Sequence, residues 1–320
     1  MSQAQDNTPN PINIWNQAGQ VKAAQKVQAR NKRWGLLEVL NSVIMLVVFT
    51  LIITFAFLFY ELANILGTTG VETSDIDQIT NDVTKKLASS GPMIFVSSVG
   101  MYGIWIFMMW YSTYKRGLKS FAKDFWLKIN WKTDVALGAL VAIVLSAVSQ
   151  GIALTLGALG FDLSGSDNSS VFFTQSGLWF VLLTFFMVPI LGPISEELFF
   201  RGFLLQGLIR HFRRGNVSGP KSSFGASIQR NYSPLFNAYI SFRHWCYKQK
   251  YNLSIILSSL AFGLMHFQGV NNFGNWLVVG ITGMIGLAFA IITVKYRRLG
   301  IGIFGHIFFN SISVAMSLMA

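Results

Sequence analysis

Charge is scarce in this chain. Only 12% of its 320 residues are Asp, Glu, Lys or Arg, about half the roughly 25% of a soluble domain. That excludes a water-exposed globule as the main body, and a mean hydropathy of +0.48 assigns most of the chain to lipid. Cysteine is nearly absent. Cys246 is alone, which excludes an intrachain disulfide and a Cys-based metal site. Acidic residues are few: 13 against 25 basic, a formal charge of +12. Such a balance can signal nucleic acid, but here the basic residues flank apolar runs, where they act as topology signals and contacts for anionic lipid. No nucleic-acid partner is expected. No cleavable signal peptide is legible, because the first apolar run is too long for one and follows a polar stretch. The H-E-x-x-H pattern and any obvious internal repeat are also missing.

What is present is a series of long apolar runs. Residues 1–34 read as a flexible tail that becomes basic near its end (Lys22, Lys26, Arg30, Lys32, Arg33). Val39 to Tyr60 holds no charge and is long enough to cross a hydrocarbon core of roughly 30 Å. An acidic segment follows (Glu61, Glu72, Asp75, Asp77, Asp82, against Lys85 and Lys86), then runs from Met93 to Tyr114 and from Val135 to Phe161. The fourth run extends from Val171 to near Ile209 and contains Pro189 and Pro193. These prolines predict a bent span or two half-helices, with Pro193 suited to open a new helical piece. Residues 210–250 form a basic connector whose Phe236, Tyr239, Phe242 and Trp245 suit either a lipid interface or a solvated loop. Three further runs start near Asn252, Phe273 and Leu299.

The expectation is an all-α polytopic bundle of about seven spans in the cell membrane. Its parts would be a tail (1–34), N-terminal membrane helices (35–176) and a membrane core (177–320). Of the 25 Lys and Arg, 22 fall at one side of such a bundle. The positive-inside rule then places the N-terminus in the cytoplasm and the C-terminus outside.

A few charged and polar groups interrupt the later runs. Glu196, Glu197 and Arg201 lie in Gly192–Gly202, His266 ends Ala261–His266, and His306 with Asn310 occupies Gly305–Asn310. Ionisable groups in a membrane are unfavourable without a partner or a task. From the basic ends, Glu196 and His266 lie roughly 20 Å deep and His306 roughly 12 Å, so one hydrated cavity could hold all three. Glu197 and Arg201 are four residues apart and can neutralise each other as a structural pair. Glu196 points about 100° away from Glu197, which leaves it as the candidate general base. The resulting reading is intramembrane peptide hydrolysis. Glu196 would activate a water, His266 would orient it or shuttle its proton, and His306 with Asn310 would hold the oxyanion. Each group alone also has a structural reading: an ion pair, or an interhelical hydrogen bond.

In these residues the sequence resembles the CPBP family of intramembrane endopeptidases, which includes CAAX prenyl proteases and bacteriocin-processing or immunity proteins. The family pattern E-E-x-x-x-R, F-x-x-x-H, H-x-x-x-N/D reads here as Glu196-Glu197-Leu-Phe-Phe-Arg201, Phe262-Gly-Leu-Met-His266 and His306-Ile-Phe-Phe-Asn310. The resemblance covers roughly residues 177–315. It implies a membrane protease in which Glu196 activates water, with roles for His266, His306 and Asn310. It implies no cofactor in the glutamate-dependent picture. The alternative is zinc held by three of Glu196, Glu197, His266 and His306, with Glu196, His266 and His306 as the favoured set. The expected partner is a membrane-associated or amphipathic peptide in a bilayer with anionic lipid. A non-catalytic immunity or scaffold protein of the same family is the competing reading, and an ion-relay transporter a third. The basic connector of about forty residues between the first two motifs is longer than the family leads one to expect.

Overall fold

The structure, a computed structural model, describes residues 34–69, 81, 83, 90–164, 175–213, 233–269 and 272–319. Residues 1–33 of the tail, the acidic Glu72, Asp75, Asp77 and Asp82 with Lys85 and Lys86, Asp167 and residues 214–232 of the basic connector lie outside the described residues. Every element described is helical. In chain order these are α1 (Leu36–Thr69), α2 (Gly91–Arg116), α3 (Phe121–Asp124) and α4 (Trp131–Ala158). α5 runs from Gly177 to Arg213, followed by α6 (Ser233–Lys248), α7 (Lys250–Leu264), α8 (Phe273–Tyr296) and α9 (Gly300–Met319).

Six of these helices are long and apolar enough to cross a membrane: α1, α2, α4, α5, α8 and α9. The run expected to be a further span forms α7, which has 15 residues and is about 22 Å long, short of a full hydrocarbon core. Helix starts follow the local chemistry. Ser90, Asn130 and Asn272 each accept a backbone N–H of the first turn, from Met93, Thr133 and Asn275, which satisfies donors a helix start leaves free.

α5 does not split into half-helices. It is continuous, and its prolines are absorbed in wider turns: residues Leu182–Leu191 and Leu198–Leu204 are π-helical, flanking the α-helical piece Gly192–Glu197. Pro193 sits in the first turn of that piece, as expected. The wider register gives the Gly192 N–H to Met187 O. The next bond in the series would need an N–H on Pro193, so Val188 O is left open.

The basic helix ends meet at one end of the bundle. Arg116 pairs with Glu38 at 2.7 Å, Arg298 with Asp134 at 2.9 Å and Arg210 with Asp124 at 3.6 Å. The Arg210 guanidinium lies 3.6 Å from the centre of the Trp34 ring. Trp34 packs against Phe125 and Phe203, and Trp105 stacks on Phe199 at 4.2 Å. These rings are buried and belong to one apolar cluster. Small residues set the closest helix approaches, as they do where apolar area alone gives little drive to associate. A Cβ on Gly138 of α4 would come within 2.8 Å of the Gly305 nitrogen of α9. One on Gly263 of α7 would come within 2.6 Å of Val279 O of α8.

Candidate active site

The glycine seam between α4 and α9 brings the two helices together one residue before His306. His306 is 4% exposed and reaches both glutamates of α5. Its Nδ1 is 3.1 Å from Glu197 Oε1, and its Nε2 is 3.8 Å from Glu196 Oε2. An ionised carboxylate only accepts, so Nδ1–H donates to Glu197 and Nε2 is the nitrogen turned towards Glu196. The second histidine is oriented the same way. His266 Nδ1 donates to Phe262 O at 2.8 Å, which leaves its Nε2 free.

Glu197 has two partners. It forms the expected pair with Arg201, Nη1 to Oε1 at 3.0 Å, with both side chains almost fully buried. Sequence spacing showed that contact but not the one to His306, because a helix-to-helix contact depends on rotation about the helix axes. Arg201 is held as much by rings as by charge. Its guanidinium carbon lies 4.2 Å from the centre of Phe262, 5.8 Å from Phe289 and 5.9 Å from Phe200, a box of aromatic faces that attracts a desolvated cation. Two glycines leave room for the pair. A Cβ on Gly302 would stand 2.9 Å from Glu197 Oε2, and one on Gly286 3.4 Å from Arg201 Nη2.

Asn310 is placed by the proline break. Its Nδ2 donates to Val188 O at 2.9 Å, the carbonyl that Pro193 leaves without a donor. A carboxamide has a second N–H, and Asn310 also lines the cavity.

Glu196, the least buried of the charged groups here with a side chain 14% exposed, faces a cavity of about 420 Å³. His266, His306 and Asn310 line that cavity with it, so the four residues named from sequence share one wall system. Across from Glu196, α4 contributes Ser149 and Gln150, α8 contributes Thr282 and α9 contributes Ser313. Sequence reading missed these. Ser149 and Gln150 were visible as adjacent polar residues in the run Val135 to Phe161, but nothing in the pattern says which face of α4 meets α9. Tyr102 of α2 was missed too. Its hydroxyl and Glu196 Oε1 lie 3.2 and 3.7 Å from the point a Cβ on Gly192 would occupy. A tyrosine in an apolar span gives no signal of its own. Among the described residues no three His, Cys, Asp or Glu side chains converge closely enough to hold a metal ion.

This arrangement of paired glutamates, two histidines and an asparagine can be set beside known proteins. Residues 177–312 match the model of the Rce1-like family, described as type II CAAX prenyl endopeptidase Rce1-like. The match agrees with the CPBP resemblance carried by the three motifs, all of which fall inside it. No curated protein and no solved structure matches the chain. The Rce1-like family is a protease family, and six membrane-capable helices make the chain a membrane protein.

Proposed function

We propose that the protein is an intramembrane peptidase that hydrolyses a peptide bond of a membrane-associated or amphipathic peptide, using Glu196 to activate water. The observation that carries the reading is the gap of 3.8 Å between Glu196 Oε2 and His306 Nε2, at the wall of a cavity with polar lining. Two acceptors at that separation suit a bridging water. The water gives one proton to Glu196 as its oxygen adds to the carbonyl carbon. The oxygen of the tetrahedral intermediate then accepts from the second N–H of Asn310. Glu196 returns its proton to the amide nitrogen, the C–N bond breaks, and a carboxylic acid and an amine leave. His266, with Nε2 free, orients the water or relays its proton. Glu197 acts through His306: it fixes the ring and its tautomer, so it is a positioning residue.

No step needs a metal, and a chelator is expected to leave turnover unchanged. The exposed side of α6, with Tyr239, Phe242 and Trp245 projecting from the fold, suits the membrane interface beside anionic lipid.

Glu196→Gln tests the reading, because it keeps the shape and removes the base. In liposomes with a quenched fluorescent amphipathic peptide that turns over with the normal protein, turnover should fall by about 10²–10⁴-fold, the usual contribution of a general base. A variant that keeps full turnover would sink the glutamate mechanism. Comparing membrane peptides from cells with the normal protein and with Glu196→Gln would find the native substrate. A protein that works only by binding would give the same peptides in both.

A further inference from the structure

We infer that the cavity receives its substrate from the membrane face opposite the basic one, and that this substrate is a peptide segment lying outside the cytoplasm. The inference rests on the proposed peptidase reading and adds a direction to it.

The floor and the rim of the cavity differ. At the floor Glu197 and His306 are buried. At the rim Gln150 and Ser313 are exposed. The rim residues sit near the helix ends that lie away from the basic connectors. Gln150 is in the last third of α4, Leu277 in the second turn of α8 and Ser313 in the last two turns of α9. The other direction is closed. Below Glu197 come the packed rings of Phe199, Phe203, Trp34 and Phe125, and then the three ion pairs that tie the basic ends together.

The wall near the rim is also chemically prepared. Ser149 is 8% exposed, lines the cavity, and its hydroxyl has no hydrogen-bond partner. Thr282 on the facing helix instead bonds back to Val278 O at 2.7 Å. A buried hydroxyl without a partner is unfavourable, so Ser149 is set for a group that enters the cavity. With the adjacent Gln150 it offers donors and acceptors that match the N–H and C=O of an extended main chain. Neither residue lies within 177–312, so this wall is a feature of the chain outside the segment that matches the Rce1-like family. The closed end carries the basic connectors, and the positive-inside rule makes that end cytoplasmic. A segment presented in the cytoplasm would meet the aromatic plug, whereas one presented outside meets Ser313, Gln150 and Ser149 before Glu196.

The single cysteine makes the test direct. In a Cys246→Ser background, Ser313→Cys marks the rim and Lys123→Cys marks the basic face. A membrane-impermeant maleimide is added to intact cells before and after permeabilisation. The expected result is that Ser313→Cys reacts before permeabilisation and Lys123→Cys only after it. Should Cys246→Ser fail to accumulate, the native background serves, since Cys246 is buried and its own reaction is subtracted. Modification of Ser313→Cys only after permeabilisation, or of both cysteines from the same side, overturns the inference. Labelling needs no turnover, so a failed peptidase reading shows separately, as Glu196→Gln matching the normal protein in the peptide comparison.

Discussion

Two sets of buried carboxylates hold this bundle together, and they are satisfied differently. At the basic end, Asp134 accepts from the Asn130 N–H at 2.8 Å and pairs with Arg298, while Asp124 accepts from the Leu118 N–H at 2.6 Å and pairs with Arg210. Each carboxylate there closes a helix start or a turn with backbone donors, and its arginine keeps some contact with the surface. In the middle of the bundle no helix start is available. Glu197 is held by side chains alone, Arg201 and His306, and its Oε2 stays without a hydrogen bond. Glu196 next to it faces the cavity. Backbone amides are free only at helix ends, so a carboxylate deep in a span must take its partners from side chains, here one on its own helix and one on α9. That makes the central set sensitive to packing, and leaves acceptor capacity for a reacting group.

The contrast can be broken at its strongest point by Glu196→Gln. Turnover should drop by about 10²–10⁴-fold while the unfolding midpoint in detergent barely moves, because Glu196 faces the cavity and glutamine keeps its shape. Replacing Arg201 by Leu should do the reverse of a clean catalytic change. It leaves Glu197 buried and unpaired, with a loss of about 3–5 kcal/mol, read as a fall in unfolding midpoint and in folded yield. Asp134→Asn at the basic end should lose less, about 1.5–3 kcal/mol, the range for a hydrogen bond to a charged group, with turnover per folded molecule retained. Arg116→Ala removes a pair whose arginine side chain is 60% exposed and should change stability by no more than about 1 kcal/mol, less still in high salt. If Asp134→Asn proved as damaging as Arg201→Leu, the distinction between the two ends would fail.

A smaller comparison sharpens the role of Tyr102. Tyr102→Phe removes one hydroxyl near Glu196 and should shift the pH profile of turnover more than it shifts KM. A change confined to folded yield would make the hydroxyl structural.

Much of this was legible before any coordinates. The Glu197–Arg201 pair followed from spacing along one helix. The contact from Glu197 to His306 did not follow, nor did the use of Asn310 to satisfy Val188 O. Both cross between helices, and the second needs the π-helical register that the prolines impose on α5. The length of α7 is a further case: hydropathy does not reveal that Gln249 divides it from α6.

By itself the sequence determined which segments are apolar, which ends are basic and which polar residues are buried among them. Those properties follow from the cost of placing charge in hydrocarbon, which each segment carries independently of its neighbours. The tertiary structure alone decided which faces of α4, α5, α8 and α9 turn inward, and with them the Ser149 and Gln150 wall, the hold of Glu197 on His306 and the end at which the cavity opens. Helix rotation is fixed by contacts such as Gly138 against Gly305, and a contact between helices is written in no single stretch of chain.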